Sequence, residues 1–219
     1  MSNKNSSKVT ILPAEPKVSI IIPNYNREAL IIETLACLLK VKYSNWECII
    51  VDDGSTDDSV SIIQNFCKKD DRFRLFTNKK SGLSATKNFA ILQSSGKYIL
   101  PLDSDDLIHP NYISEAVEIM ENSTNTKLVY CKGKYFGSKH GRWKLAPYSF
   151  LQLISQNCLP NTSLFRRIDF DKTFGYNTSL TINEDWEFWI SLLETGGEVY
   201  RIPKYYFFYR KHKIGRAHV

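Results

Sequence analysis
The sequence has no apolar run approaching the roughly 20 residues that a bilayer span requires. Its first apolar stretch, Val18 to Ile22, is also too short for the core of a signal peptide. These absences predict a protein kept in the cytosol. Cysteine shows no pairing pattern: Cys37, Cys48, Cys67, Cys131 and Cys158 are odd in number and include no CxxC. Most lie in apolar surroundings such as Glu47-Cys48-Ile49-Ile50, so they read as small buried hydrophobes rather than disulfides or metal ligands. Zinc-finger, RNP and basic-zipper patterns are missing, and no nucleic-acid partner is expected. No internal repeat, low-complexity linker, Ser-His or Cys-His signature is present either.

What remains is an ordinary folded composition. With 219 residues, 42% hydrophobic and 24% charged, the chain can bury the core of one α/β domain. The net charge of +6 attracts anions without choosing among them. Its positive residues are dispersed except for a cluster from Arg201 to Arg216. The polar start of the chain predicts a flexible leader over 1–16.

Two kinds of segment then alternate. Apolar runs at Val18–Ile22, Trp46–Val51, Phe73–Thr77, Lys97–Leu102 and Lys127–Cys131 read as strands. Helical spacing predicts helices over Arg27–Leu39, Ser84–Gln93 and Pro110–Glu121, with another capped by Thr56 and running to Cys67. This rhythm predicts a doubly wound, mostly parallel α/β sheet, Rossmann-like, with strand C-termini on one ligand-binding edge. After Cys131 the rhythm breaks. Gly133, Gly137 and Gly141 among aromatics mark a hairpin or irregular connector. Helices are expected over Ala146–Gln156 and Asp185–Glu194, and strands over Pro160–Phe165, Val199–Ile202 and Tyr205–Tyr209. The expected organisation is a single domain over 17–213 with two unequal halves, 17–106 and 107–213.

Polar clusters follow the predicted strands: Pro23-Asn24-Tyr25-Asn26, Asp52-Asp53-Gly54-Ser55 and Asp103-Ser104-Asp105-Asp106. Three carboxylates in four residues repel one another unless a hard divalent cation draws them together. Capping of the next helix by Asp105 or Asp106 explains one of them, not three. Asp52-Asp53-Gly54-Ser55 reads equally as a tight turn, and Tyr25 as a cover for the sheet edge. A further cluster, Asn183-Glu184-Asp185-Trp186-Glu187, starts a helix. Its acids either complement the helix dipole or include a general base.

Together these segments resemble glycosyltransferase family 2. They are Val18-Ser-Ile-Ile-Ile-Pro-Asn-Tyr-Asn26, Val51-Asp-Asp-Gly-Ser-Thr-Asp57, Gly82-Leu-Ser-Ala-Thr-Lys-Asn88, Leu102-Asp-Ser-Asp-Asp106 and Asn183-Glu-Asp-Trp-Glu187. The resemblance implies the GT-A fold, an inverting sugar transfer, and a nucleotide diphosphate donor, a UDP-sugar first among them. It places Pro23, Tyr25, Asp53, Lys87 and Asp103 at the donor nucleotide. Asp105, helped by Asp103, would hold Mg²⁺ or Mn²⁺. Asp185 matches the base and Glu184 an acceptor-side contact. Lys87 stands where the family usually has arginine, which loses the bidentate fork. Arg210 and His212, in Tyr209-Arg-Lys-His212, match a segment closing over the diphosphate; a solvated basic tail is the alternative.

The implied acceptor is a glycan or lipid-linked saccharide in bacterial polysaccharide biosynthesis, with peripheral inner-membrane attachment through Tyr205–Lys213. Two other classes compete: a catalytically silent nucleotide-sugar-binding scaffold, and a nucleotidyltransferase, which would need a glycine-rich basic loop after the first strand. Ile214-Gly-Arg-Ala-His-Val219 departs from the family pattern and reads as translated adapter sequence, so a longer native protein is expected.

Overall fold
Val18-Ser-Ile-Ile-Ile-Pro-Asn24 shows no polar–apolar alternation, and it forms a strand covered on both faces, β1 (Val18–Asn24). The computed structural model describes residues 15–213. β2 (Trp46–Asp52) and β4 (Tyr98–Pro101) are buried in the same way, and the part-exposed edge strand β3 (Phe73–Thr77) completes four parallel strands in the spatial order β3-β2-β1-β4. The helices α1 (Ile31–Leu38), α2 (Ser59–Cys67) and α3 (Leu83–Leu92) make the crossovers.

Beyond β4 the sheet changes sense. β8 (Leu164–Arg166) pairs antiparallel with β4 and with β6 (Thr126–Gly137), so β6 again runs with β4. β9 (Glu198–Lys211) lies parallel to β6, and the two-residue β5 (Leu107–Ile108) closes the far edge. The mostly parallel sheet is therefore interrupted by the reversed β8, with β5 at the edge reversed as well, and not every C-terminus meets the ligand edge. β7 (Gly141–Trp143) folds back on β6, making the predicted hairpin.

The two faces are covered by different helices. Ile20, Ile22, Cys48, Ile50, Leu100, Val129 and Cys131 meet α1 and α4 (Tyr112–Asn122). Ile21, Ile49, Val51, Ile99, Leu128 and Tyr130 meet α3, α5 (Phe150–Ser155), α6 (Arg167–Phe170) and α7 (Glu184–Leu193). Each fully buried Leu or Ile in these layers contributes about 1.5–3 kcal/mol. All five cysteines are free thiols, three of them buried. Burial pushes the Cys37 thiol up to about 11 and that of Cys131 to about 12.

Several expectations need correction. Thr56 does not cap α2, which starts at Ser59 after Asp58; the Thr56 amide instead donates to Asn26 Oδ1 at 2.8 Å. The helix expected over Ala146–Gln156 shrinks to α5, because Pro147 disfavours helical geometry at Ala146 and Ser149 caps the chain behind it. The two late strands are one, with register shifts where Pro203, Lys204 and Tyr206 are not matched to a residue of β6. Of the leader expected over 1–16, Glu15 and Pro16 accept hydrogen bonds from Asn45 and Tyr43. The remainder of that leader, and the proposed tail 214–219, lie outside the described residues.

Candidate active site
The ends of β1, β2 and β4 set three polar loops side by side. Asn24 pairs with Asp52 in register, and its Nδ2 donates to Asp52 Oδ2 at 2.8 Å. Asp52 also accepts from the Ser55 amide and hydroxyl at 2.8 and 2.6 Å, so this carboxylate builds the turn. Its neighbour Asp53 points the other way. Asp53 Oδ1 accepts from the Ser81 amide at 2.7 Å and Oδ2 from the Gly82 amide at 2.8 Å. Gly82 presents that amide at φ +90°, and Gly54 at φ +83° leaves room for the backbone of Lys80. Lys80 in turn sits 4.8 Å from the centre of the Tyr25 ring. The turn at Lys80, Ser81 and Gly82 thus ties Tyr25 and Asp53 into one wall, and Pro23 is buried in β1.

The acidic loop lies beside it. Carboxylate oxygens of Asp103, Asp105 and Asp106 all fall within 4.8 Å of one another, a set of hard oxygen donors that fits Mg²⁺ or Mn²⁺. The capping alternative fails, because β5 intervenes and Asn111 occupies the N-cap of α4. Basic side chains from two other segments surround the loop. His212 Nε2 is 2.9 Å from Asp105 Oδ2, and Arg27 Nε is 3.7 Å from the same oxygen. Arg210 donates its amide to Asp106 Oδ1 at 2.8 Å and its Nε to the Asp105 carbonyl at 2.8 Å, and it also pairs with Glu33. The C-terminal basic segment is therefore docked on the acidic loop over Arg210–His212.

The third element is the start of α7. Asn183 adopts φ +58°, a left-handed turn that asparagine tolerates, and delivers Glu184 and Asp185 to the helix N-terminus. The helix dipole favours negative charge there. Asp185 Oδ2 lies 3.5 Å from Asn157 Nδ2. Glu184 turns inward: its Oε1 is 2.9 Å from Lys87 Nζ, whose residue is only 1% exposed. Lys87 also donates to Asn161 Oδ1 at 3.0 Å, and Asn161 Nδ2 donates to Asp103 Oδ1 at 2.9 Å. A continuous chain of contacts thus runs from the start of α7 to the acidic loop. It puts the Lys87 ammonium behind the site, against Glu184.

Sequence reasoning did not find Arg27, Ser81, Asn161 or Tyr176. Arg27 follows the first polar turn directly, which was the available signal. Tyr176 is buried, stacks on Phe188 with centroids 4.3 Å apart, and lies 5.0 Å from Lys87 Nζ. Burial raises its phenol well above the usual value, and the nearby charges of Asp185, Glu184 and Asp103 push it further. One neutral phenol therefore sits among the three carboxylates of greatest interest.

Comparison with known proteins agrees with this geometry. The chain is 34% identical over 184 residues to an uncharacterized glycosyltransferase of Rickettsia felis, an alignment covering 81% of this chain and 30% of that protein. It is 32% identical over 128 residues to a Campylobacter jejuni GalNAc(5)-diNAcBac-PP-undecaprenol beta-1,3-glucosyltransferase, covering 58% and 40%. The chain therefore spans less than half the length of either relative. In three dimensions it resembles S. aureus TarS 1–349 in complex with UDP-GlcNAc, with a TM-score of 0.76, 23% identity, and coverage of 90% and 59%. That likeness shows the GT-A fold. Among the described residues no helix is long and apolar enough to cross a membrane. Residues 19–185 match the description Glycosyl transferase family 2, a span from β1 to the start of α7 that takes in all three polar loops, and the chain belongs to that family.

Proposed function
We propose that the chain is an inverting glycosyltransferase. It moves a hexose-type sugar from a nucleotide diphosphate donor, UDP-sugar first, to a hydroxyl of a glycan or lipid-linked acceptor. The observation that carries this reading is the contact chain Asp103–Asn161–Lys87–Glu184, which fixes the acidic loop relative to Asp185.

In this reading Pro23, Tyr25 and Asp53 frame the nucleoside. Arg210 and His212 face the diphosphate, and Asp185 takes the proton of the attacking hydroxyl. Asp105 and Asp103 would hold Mg²⁺ or Mn²⁺, which supplies Lewis-acid neutralisation of charge on the departing diphosphate. Lys87 and Glu184 hold the floor beneath these groups, with Glu184 backing the acceptor side. The family relationship and the Campylobacter relative's lipid-linked acceptor support this assignment. The place of action is the cytoplasm or the cytoplasmic face of the membrane, reached through the basic aromatic stretch Tyr205–Lys213.

Calorimetry with UDP, with and without Mn²⁺, tests the donor site in wild type and Asp105→Ala. Metal-dependent binding in wild type alone is expected. Asp185→Asn should keep that binding and lose release of UDP from a UDP-sugar in the presence of acceptor. Release unchanged in Asp185→Asn would sink its role as base, and binding without turnover in wild type would favour the silent scaffold.

A further inference from the structure
From residue 122 to 168, and again from 199 to the end, the sequence contains no aspartate or glutamate. The first run includes β6, β7 and α5; the second covers nearly all of β9. Their pairing brings two acid-free segments together on one part of the sheet. Three cations converge there on a single ring. Lys132 Nζ, Lys134 Nζ and the Arg142 guanidinium lie 5.8, 5.1 and 5.7 Å from the centre of Tyr205. Lys132 is in register with Tyr205, and Lys134 with Arg142.

Among the described residues, no carboxylate pairs with any of the three. The ring's negative face offsets part of their repulsion and holds the charges close together. It supplies no hydrogen-bond acceptor of matching charge. Lys134 and Arg142 are exposed, while Lys132 and Tyr205 are half-buried, so the cluster opens to solvent over a fixed floor. A guanidinium fork beside two ammonium groups suits a tetrahedral anion with several oxygens better than a single carboxylate.

Position argues for a role. By the alternation of β6, Lys132 and Lys134 follow Leu128 and Tyr130, which face α7. β6 runs with β4, so its second half leads to the edge that carries the acidic loop, and Arg210 beside that loop is in register with Phe136. The cluster therefore lies on the Asp185 face, displaced from the nucleotide wall.

We propose that Lys132, Lys134 and Arg142 around Tyr205 form a phosphate-binding subsite for the acceptor. That last word rests on the transferase reading; the phosphate chemistry does not. The phosphate belongs either to a lipid, as a headgroup or lipid-linked carrier, or to a soluble phosphorylated glycan.

The test uses the full chain, a Lys132→Gln/Lys134→Gln/Arg142→Gln variant, and a control Lys40→Gln/Lys68→Gln/Lys69→Gln variant with the same loss of charge. Each is titrated with inorganic phosphate in the absence of divalent metal, and co-sedimented with phosphatidylglycerol–phosphatidylcholine vesicles and with phosphatidylcholine alone. The subsite variant should bind phosphate or the anionic vesicles at least tenfold more weakly than wild type, with the control near wild type. Anionic vesicle binding assigns the phosphate to lipid, and binding of free phosphate without vesicles assigns it to a soluble acceptor. Absence of both in wild type, or equal loss in the two variants, overturns the subsite. UDP binding with Mn²⁺ is measured on the same samples. Its absence in wild type would count against the transferase reading and leave the phosphate result standing.

Discussion
Lys87 Nζ and Glu184 Oε1 are 2.9 Å apart, although 97 positions separate the two residues, and both side chains are almost wholly shielded from water. Removing one partner leaves the other charge buried and uncompensated, at a cost of about 3–5 kcal/mol. Lys87→Met should therefore destabilise severely. The double variant Lys87→Met/Glu184→Leu should recover much of that loss, because no lone charge remains. Urea unfolding of the two singles and the double measures the coupling; strictly additive losses would show that the pair does not act as a unit.

Tyr176 makes a second prediction. Its hydroxyl is buried with no hydrogen-bond partner among the described residues, close to the charges of Asp185, Glu184 and Asp103. Tyr176→Phe removes a polar atom that folding leaves unsatisfied, so stability should hold or rise by up to about 1 kcal/mol. Thermal unfolding decides the matter. A loss above about 2 kcal/mol would mean the phenol donates to one of those carboxylates in solution.

Glu47 sets an acid limit on stability. Burial raises its carboxyl, but hydrogen bonds from the Ser95 amide, the Ser19 hydroxyl and the Ser95 hydroxyl, with the Lys17 charge, outweigh it and hold the group below its ordinary value. A depressed folded value means the stabilisation is complete above the unfolded pKa of about 4.3 and is lost as pH falls through the folded one. Glu47→Gln should thus narrow its stability gap to wild type as pH drops from 7 to 3. A constant gap in urea melts across that range would refute this.

Gly96 lies against the same cluster. A Cβ there would sit 2.5 Å from Ser19 Oγ and 2.6 Å from Ser19 N, and the backbone of β1 cannot give way cheaply. Gly96→Ala should cost about 1–3 kcal/mol, lowering the melting temperature by several degrees; an unchanged melt would mean β1 and the 94–97 turn are looser than the packing implies.

The parts of the fold that could be read in the sequence are those whose signal is local. Val18–Asn24 and Trp46–Asp52 carry the apolar runs Ile20–Ile22 and Cys48–Val51 and are buried along their whole length, and strands covered on both faces need no partner to be recognised. The Asp103-Ser-Asp-Asp106 loop was legible because like charges at that density need an explanation within four residues. Asn161 and Tyr176 were not legible. Each reaches the site from an irregular segment, carried there by the packing of β8 and α7 rather than by any pattern around it. Lys87 was found, but its direction was not: helical spacing alone does not say that its ammonium turns toward a glutamate almost a hundred residues later. The sheet reversal at β8 was likewise hidden, since Leu164-Phe-Arg166 is too short to announce its sense.

The docking of β9 on the acidic loop has a consequence for the order of events during synthesis. Asp105 and Asp106 leave the ribosome more than a hundred residues before Arg210 and His212, which contact them in the finished domain. Until then the nascent loop has only Arg27, among these basic residues, to temper three neighbouring carboxylates. The strands that carry Tyr25 and Asp53 at their ends are complete well before residue 101, whereas the electrostatic environment of the acidic loop is finished among the last residues of β9. A partly made chain is thus a scaffold whose acidic loop has yet to mature.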